Sequence, residues 1–174
     1  VNQDNELKRK NATALALKVK ILMAKEDYYN ALSANEELID INETDRNLYY
    51  QGAIFYHLND KEQAQDYLKK SLVLNNRFIE SYIRLAGIQF ELNNLNEAMV
   101  NINEAIKIEN QNHEAYVIRS KIHKKNLNLA GAINDISQAI LINPQSIEYY
   151  FVRASYYNDF SQFQNAIHDY NKIL

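Results

Sequence analysis

Apolar residues recur along this chain at i, i+3, i+4 and i+7 in stretches of about a dozen residues, the period of a helix with one buried stripe. Glu80 to Leu92 carries Tyr82, Leu85, Ala86, Ile88 and Gln89 on such a stripe. The polar break Asn93-Asn94 follows, and Asn96 to Ile108 carries Ala98, Met99, Ile102, Ala105, Ile106 and Ile108. The same alternation predicts a further helix pair broken at Asn126-Leu127-Asn128 and ended at Asn143-Pro144, where the only Pro stops a helix. Asn75-Asn76 and Asn110-Gln111-Asn112 occupy the equivalent place between pairs. Asn suits that place because it caps a helix or accepts a left-handed backbone.

The pairs repeat. Ala31, Ala64, Ala98, Ala132 and Ala166 stand 33, 34, 34 and 34 residues apart. Sixteen residues before them stand Leu15, Leu48, Tyr82, Tyr116 and Tyr150; twelve before stand Val19, Gly52, Ala86, Ser120 and Ala154; seven after stand Leu38, Ser71, Ala105, Ala139 and Ile173. Large and small residues at fixed phase are a packing rule, and two short helices cannot bury their own stripes, so successive pairs must stack.

Composition narrows the picture. With 3 Gly and 1 Pro in 174 residues, the chain lacks the turn chemistry of a many-stranded β fold. No Cys means no disulfide, no thiolate zinc site and no cysteine nucleophile. A net charge of −3 gives no reason to expect nucleic acid as a partner. The 24 Asn residues suit an AT-rich coding sequence, and the sequons at Asn11 and Asn42 fall within chance. No apolar run is long enough to span a membrane. The compartment stays open: a cytoplasmic setting is the default expectation, while a chain starting at Val1 is compatible with a removed leader, and so with a periplasmic, secreted or anchored protein.

A 34-residue helix-turn-helix with a large residue, Leu, a small residue and an aromatic in its first helix, then Ala, a large residue and Ala in its second, with Pro at the exit, resembles the tetratricopeptide repeat. Tyr116, Ser120, Ala132, Ile136, Ala139 and Pro144 fill these slots in one unit, and Tyr82, Leu85, Ala86, Ala98, Ile102 and Ala105 in the unit before it. The resemblance implies an all-α, right-handed superhelical solenoid of antiparallel helix pairs. After a polar lead at 1–11 that opens the first helix, one array would run over 12–174, in units 12–44, 45–78, 79–112, 113–146 and 147–174. Unit one, a residue short and with Lys18 and Asn35 in slots usually apolar, is expected to act as a polar cap. Arg119 and Arg153 stand where the family has Leu. Each has an Asp sixteen residues on, so Arg119–Asp135 and Arg153–Asp169 are expected to be structural ion pairs.

Enzyme chemistry is not evident. His57, His113, His123 and His168 share no metal-ligand spacing, the three Gly lie about a repeat apart instead of forming a phosphate loop, and His123 falls on a core face as a packing histidine. The expectation is a non-enzyme without cofactor or metal.

The resemblance places a concave face on the first helix of each unit. Tyr49, Tyr50, Ile83, Val117, Ile118 and Phe151 fall there with no packing role in their own unit, as an exposed apolar stripe would. Packing against the neighbouring unit is the other reading, above all for Ile118 and Val152. Glu80, Glu114 and Glu148 lie in first turns and Lys124 and Lys125 in a last turn, where the helix dipole favours each sign. Arg84 and Lys121 lie mid-helix and are the candidates for holding a partner carboxylate. Gly87, inside a helix, implies close approach of a neighbouring helix or of a ligand backbone.

The family's clamp for acidic chaperone tails needs Lys, Asn and Arg where this chain has Ala16, Lys20, Tyr50, Glu80 and Arg84, and so is disfavoured. The expected function is a protein-interaction scaffold that holds a peptide or partner helix in its groove. The alternative is self-assembly through an uncovered last unit bearing Tyr156, Tyr157, Ile167, Tyr170 and Ile173. Binding of nucleic acid through Lys121, Lys124 and Lys125 is the weakest reading.

Overall fold

The computed structural model describes residues 2–174, and side chains from residue 6 onward. Ten helices are found among the described residues, and no strands: α1 (Asn2–Ala24), α2 (Tyr28–Ile41), α3 (Asp45–His57), α4 (Lys61–Leu74), α5 (Ile79–Glu91), α6 (Leu95–Ile108), α7 (His113–Lys125), α8 (Leu129–Ile142), α9 (Ile147–Asp159) and α10 (Phe163–Ile173). Among them no helix is long and apolar enough to cross a membrane.

Within each pair the connection has one backbone design. A single residue turns left-handed at Glu26, Asn59, Asn93, Leu127 and Ser161, with φ between 58° and 64°. The amide of Asn59 donates to the Tyr56 carbonyl at 3.0 Å and that of Asp60 to the Phe55 carbonyl at 2.9 Å. This is a Schellman closure, and it recurs at Asn93-Asn94, Leu127-Asn128 and Ser161-Gln162. The second residue of each turn then caps the next helix: Asp60 accepts from the Gln63 amide at 3.0 Å and Asn128 from that of Gly131 at 2.9 Å. Asn94 and Gln162 hold the same place without a side-chain cap bond. The left-handed residue thus lies inside the pairs, not in the Asn-rich stretches between them. There, Asn75 takes an extended φ of −144° and Asn112 caps α7 through the Ala115 amide at 3.1 Å.

The chain divides into two compact units, Val1–Ile88 and Gln89–Leu174. In the first, Leu15, Val19, Ala31, Ala34, Leu38 and Ile54 form one buried cluster, and Ala64, Leu68, Leu85 and Ile88 another. α3 approaches α4 at Gly52, where a Cβ would stand 2.8 Å from Leu68 Cγ and 2.9 Å from the Ala64 carbonyl oxygen, so a larger residue at this one position would force the two helices to shift. α1 runs from Asn2 through the polar lead to Ala24. Unit one keeps the register of the others and is no polar cap. Asn35 is buried, its Nδ2 donating to Gln51 Oε1 at 2.6 Å and to the Asn47 carbonyl at 3.0 Å, while Leu7, Leu17 and Ile21 are exposed.

In the second unit, Val117, Ala132, Ile136, Ala139 and Tyr156 form the buried cluster. Arg119 Nε and Nη2 donate to the two carboxylate oxygens of Asp135 at 2.8 and 2.7 Å, and Arg153 meets Asp169 in the same way at 2.7 Å twice. The third nitrogen of each reaches the preceding pair, Arg119 Nη1 to Asn103 Oδ1 at 2.9 Å and Arg153 Nη1 to Ser137 Oγ at 3.1 Å. The bonds to the Asp carboxylates raise both guanidinium pKa values, outweighing burial. The ion pairs expected from sequence are present, and each also ties one pair to the one before it.

Candidate interaction surface

In Val1–Ile88 the candidate residues lie on α3 and α5. The Tyr49 ring meets Tyr50 edge-on at 5.6 Å and Phe78 at 5.6 Å, and both tyrosines are half-buried. Burial raises the Tyr50 pKa, with Tyr49 and Glu80 adding to the rise and Arg46 opposing it, so the hydroxyl is a neutral donor at ordinary pH. Arg84 is not a free cation: its guanidinium lies 5.6 Å over the Tyr56 ring. Its charge, second to burial, also lowers the pKa of His57, which stacks on Tyr28 with centroids 4.5 Å apart.

Ile83 corrects the expected exposed stripe, because it is only 7% exposed and belongs to the packed interior. Gly87 corrects the other way. A Cβ built there meets no heavy atom within 4 Å, so no helix packs closely against it. Of the two explanations for a mid-helix Gly, close helix packing is removed.

In Gln89–Leu174 the candidates lie on α7 and α9. Val117 is 8% exposed and packs with Ala132, Ile136, Ala139 and Tyr156, so it too leaves the stripe. Ile118 is half-buried and Lys121 exposed. Phe151 is 58% exposed, its ring edge-on to Tyr170 at 6.0 Å. Tyr156 is buried, not part of an open face; burial raises its pKa, while a hydrogen bond with Ser120 and the charge of Lys124 pull it down.

Two of the lysines weighed for nucleic acid are engaged inside the unit. Lys124 pairs with Asp159 at 2.6 Å and lies 4.9 Å over the Tyr156 ring, and Lys125 lies 4.9 Å over Phe90. His123 contacts Asn128 at 3.2 Å and Asp135 at 3.6 Å, the surroundings of a packing histidine. Sequence reasoning missed the aromatic neighbours Tyr56, Phe78 and Tyr149; the Tyr149 hydroxyl stands 2.8 Å from His113 Nδ1. Their side-by-side placement depends on the turn between helices, and the repeat spacing does not register it.

Comparison with known proteins places this geometry. A family model described as tetratricopeptide repeat matches residues 79–112, the third of the units read from sequence. Solved structures match over nearly the whole chain. Residues 79–112 are a tetratricopeptide repeat, and the chain has the fold of tetratricopeptide-repeat proteins. PilF of Pseudomonas aeruginosa superposes on the repeats with a TM-score of 0.88 at 12% identity, covering 95% of this chain and 76% of that one. MamA from Desulfovibrio magneticus RS-1, residues 41 to the end, gives 0.82 at 15% identity over 94% and 93%. A thermophilic TPR protein of Thermus thermophilus, TTC0263, gives 0.77 at 17% identity over 94% and 90%. At these identities the likeness is one of fold. No curated protein matches the chain.

Proposed function

We propose that this tetratricopeptide-repeat chain is a non-enzymatic scaffold that holds a peptide segment or partner helix on the exposed faces of its first-of-pair helices. The observation that carries the reading is Gly87. A Gly inside a helix costs about 1 kcal/mol relative to Ala, and the space a Cβ would occupy here is open. No neighbouring helix crowds the position, which leaves it open to the approach of a ligand backbone. The same unit carries Tyr49 and Tyr50, whose rings meet edge-on and suit recognition, and Arg84, whose guanidinium lies over the Tyr56 ring. In Gln89–Leu174 the corresponding candidates are Ile118, Lys121 and Phe151.

The test is selection of binders from a displayed random peptide library, followed by amide-shift mapping. A selected peptide is expected to move the resonances of Tyr50, Arg84 and Gly87, or of Ile118 and Lys121, and to lose affinity when Tyr50→Ser and Arg84→Ala are combined. Shifts confined to α2, α4, α8 or α10 would overturn the reading.

A second reading is favoured by one observation. Phe151 and Ile167 are 58% and 50% exposed on the last helix pair. An apolar face of this kind suits self-association.

A further inference from the structure

One helix pair departs from the others at two positions that meet in space. Nine residues before the repeating alanines stand Leu22, Phe55, Gln89, His123 and Tyr157, so only the α7–α8 pair puts an imidazole there. One residue before them stand Asn30, Gln63, Glu97, Gly131 and Asn165, so only this pair puts Gly in the first turn of its second helix. The two choices belong together. A Cβ at Gly131 would stand 2.7 Å from Asn128 Nδ2 and 3.1 Å from His123 Cγ, so the space is taken by the contact between those two side chains.

The bonding of that contact is fixed from one end. The Gly131 amide can only donate, and it reaches Asn128 Oδ1 at 2.9 Å, which turns the Asn128 Nδ2 donor toward the ring, 3.2 Å from His123 Nδ1. Nδ1 therefore accepts, and the proton of the neutral ring lies on Nε2, which stands 3.6 Å from Asp135 Oδ2. The other charged groups nearby are engaged. Arg119 holds both oxygens of Asp135 and reaches Asn103, Lys124 pairs with Asp159 and lies over the Tyr156 ring, and Asp169 is held by Arg153.

Protonation changes what the ring can do at one atom. With a proton on Nδ1 the ring has no acceptor left, and two donors face each other across the 3.2 Å contact. Asn128 can meet that proton only by turning its amide oxygen to the ring, and the same oxygen is the cap of α8. On the other side, the charged ring gains the buried Asp135 carboxylate as a counter-ion.

We infer that His123 is a proton-sensitive latch on the first turn of α8: neutral, it holds Asn128 in place as the helix cap; protonated, it releases that cap and leans on Asp135. The α7–α8 connection thus loosens on acidification through the range in which histidine changes charge, while the Arg119–Asp135 pair stays made.

A proton–nitrogen NMR titration of the full chain between about pH 8 and pH 5, following the His123 ring nitrogens and the Gly131 amide, tests this. At the alkaline end the ring is expected to show the Nε2–H tautomer. As it takes up its proton, the Gly131 amide proton should move upfield in step, as a donor does when its acceptor leaves. In Asn128→Asp the carboxylate accepts from both sides, so the cap should persist and the upfield step should be lost. The step should also be absent in His123→Phe, which borrows the residue type of Phe55 in the same slot. Circular dichroism checks that each variant is folded, and the tautomer and the Gly131 response of the unmodified chain are decisive without them. A neutral ring carrying its proton on Nδ1, a Gly131 amide that does not respond as the ring titrates, or a step that survives in folded His123→Phe would each overturn the inference.

Discussion

Arg119 and Asp135 meet through two parallel hydrogen bonds, Nε to Oδ2 at 2.8 Å and Nη2 to Oδ1 at 2.7 Å, with the carboxylate residue 1% exposed. Removing one partner leaves a buried charge alone, so Asp135→Ala is expected to destabilise the fold by about 3 kcal/mol. Replacing Arg119→Leu together with Asp135→Ala, which returns the arginine slot to the family's Leu, is expected to recover most of that loss. Chemical denaturation of the two single variants and the double variant checks it. A single loss within measurement error would mean that the pair is not structural.

Leu127 carries the left-handed turn of the α7–α8 pair with φ 59° and is 89% exposed, so its side chain stabilises nothing by burial. Leu127→Gly or Leu127→Asn is expected to relieve about 1 kcal/mol of backbone strain. Gln162 stands at the N-cap of α10 without a cap bond, and Gln162→Asp is expected to add a comparable amount. Each change should raise Tm by about 2–4 °C for a chain of this size, measured by thermal scans.

The fold and the Arg–Asp pairs were legible because both follow from spacing. An arginine in an apolar slot demands a carboxylate, and an Asp stands sixteen residues beyond both Arg119 and Arg153. The left-handed turns were not legible, because Glu26, Asn59, Asn93, Leu127 and Ser161 share no residue type and the closure is made by backbone atoms. The stripe was half legible. Tyr49, Tyr50, Ile118 and Phe151 keep accessible surface, but whether Ile83 or Val117 does depends on what packs against it, which a single repeat does not encode.

Burial raises the pKa of Tyr50, Tyr149 and Tyr156. The fold therefore favours the protonated phenol over the phenolate. Stability from these groups is complete below their unfolded pKa of about 10 and is lost as pH climbs through the raised folded values. Phenolate absorbance during alkaline titration should show part of the 13 tyrosines titrating late. Tyr156→Phe should lessen the alkaline loss of Tm; an unchanged alkaline loss would mean that Tyr156 contributes nothing to it.

A ligand held on the proposed surface would approach α5 at Gly87. Gly87→Ala adds a methyl group where no heavy atom lies within 4 Å. It is therefore expected to stabilise α5 by about 1 kcal/mol, whereas Gly87→Leu should fill the open face. Titration calorimetry of a library-selected peptide against the unmodified chain and Gly87→Leu, with Tm measured beside it, is the most direct test. Affinity is expected to fall at least tenfold, about 1.4 kcal/mol, while Tm is kept or raised. Unchanged affinity in the folded Gly87→Leu chain would contradict it.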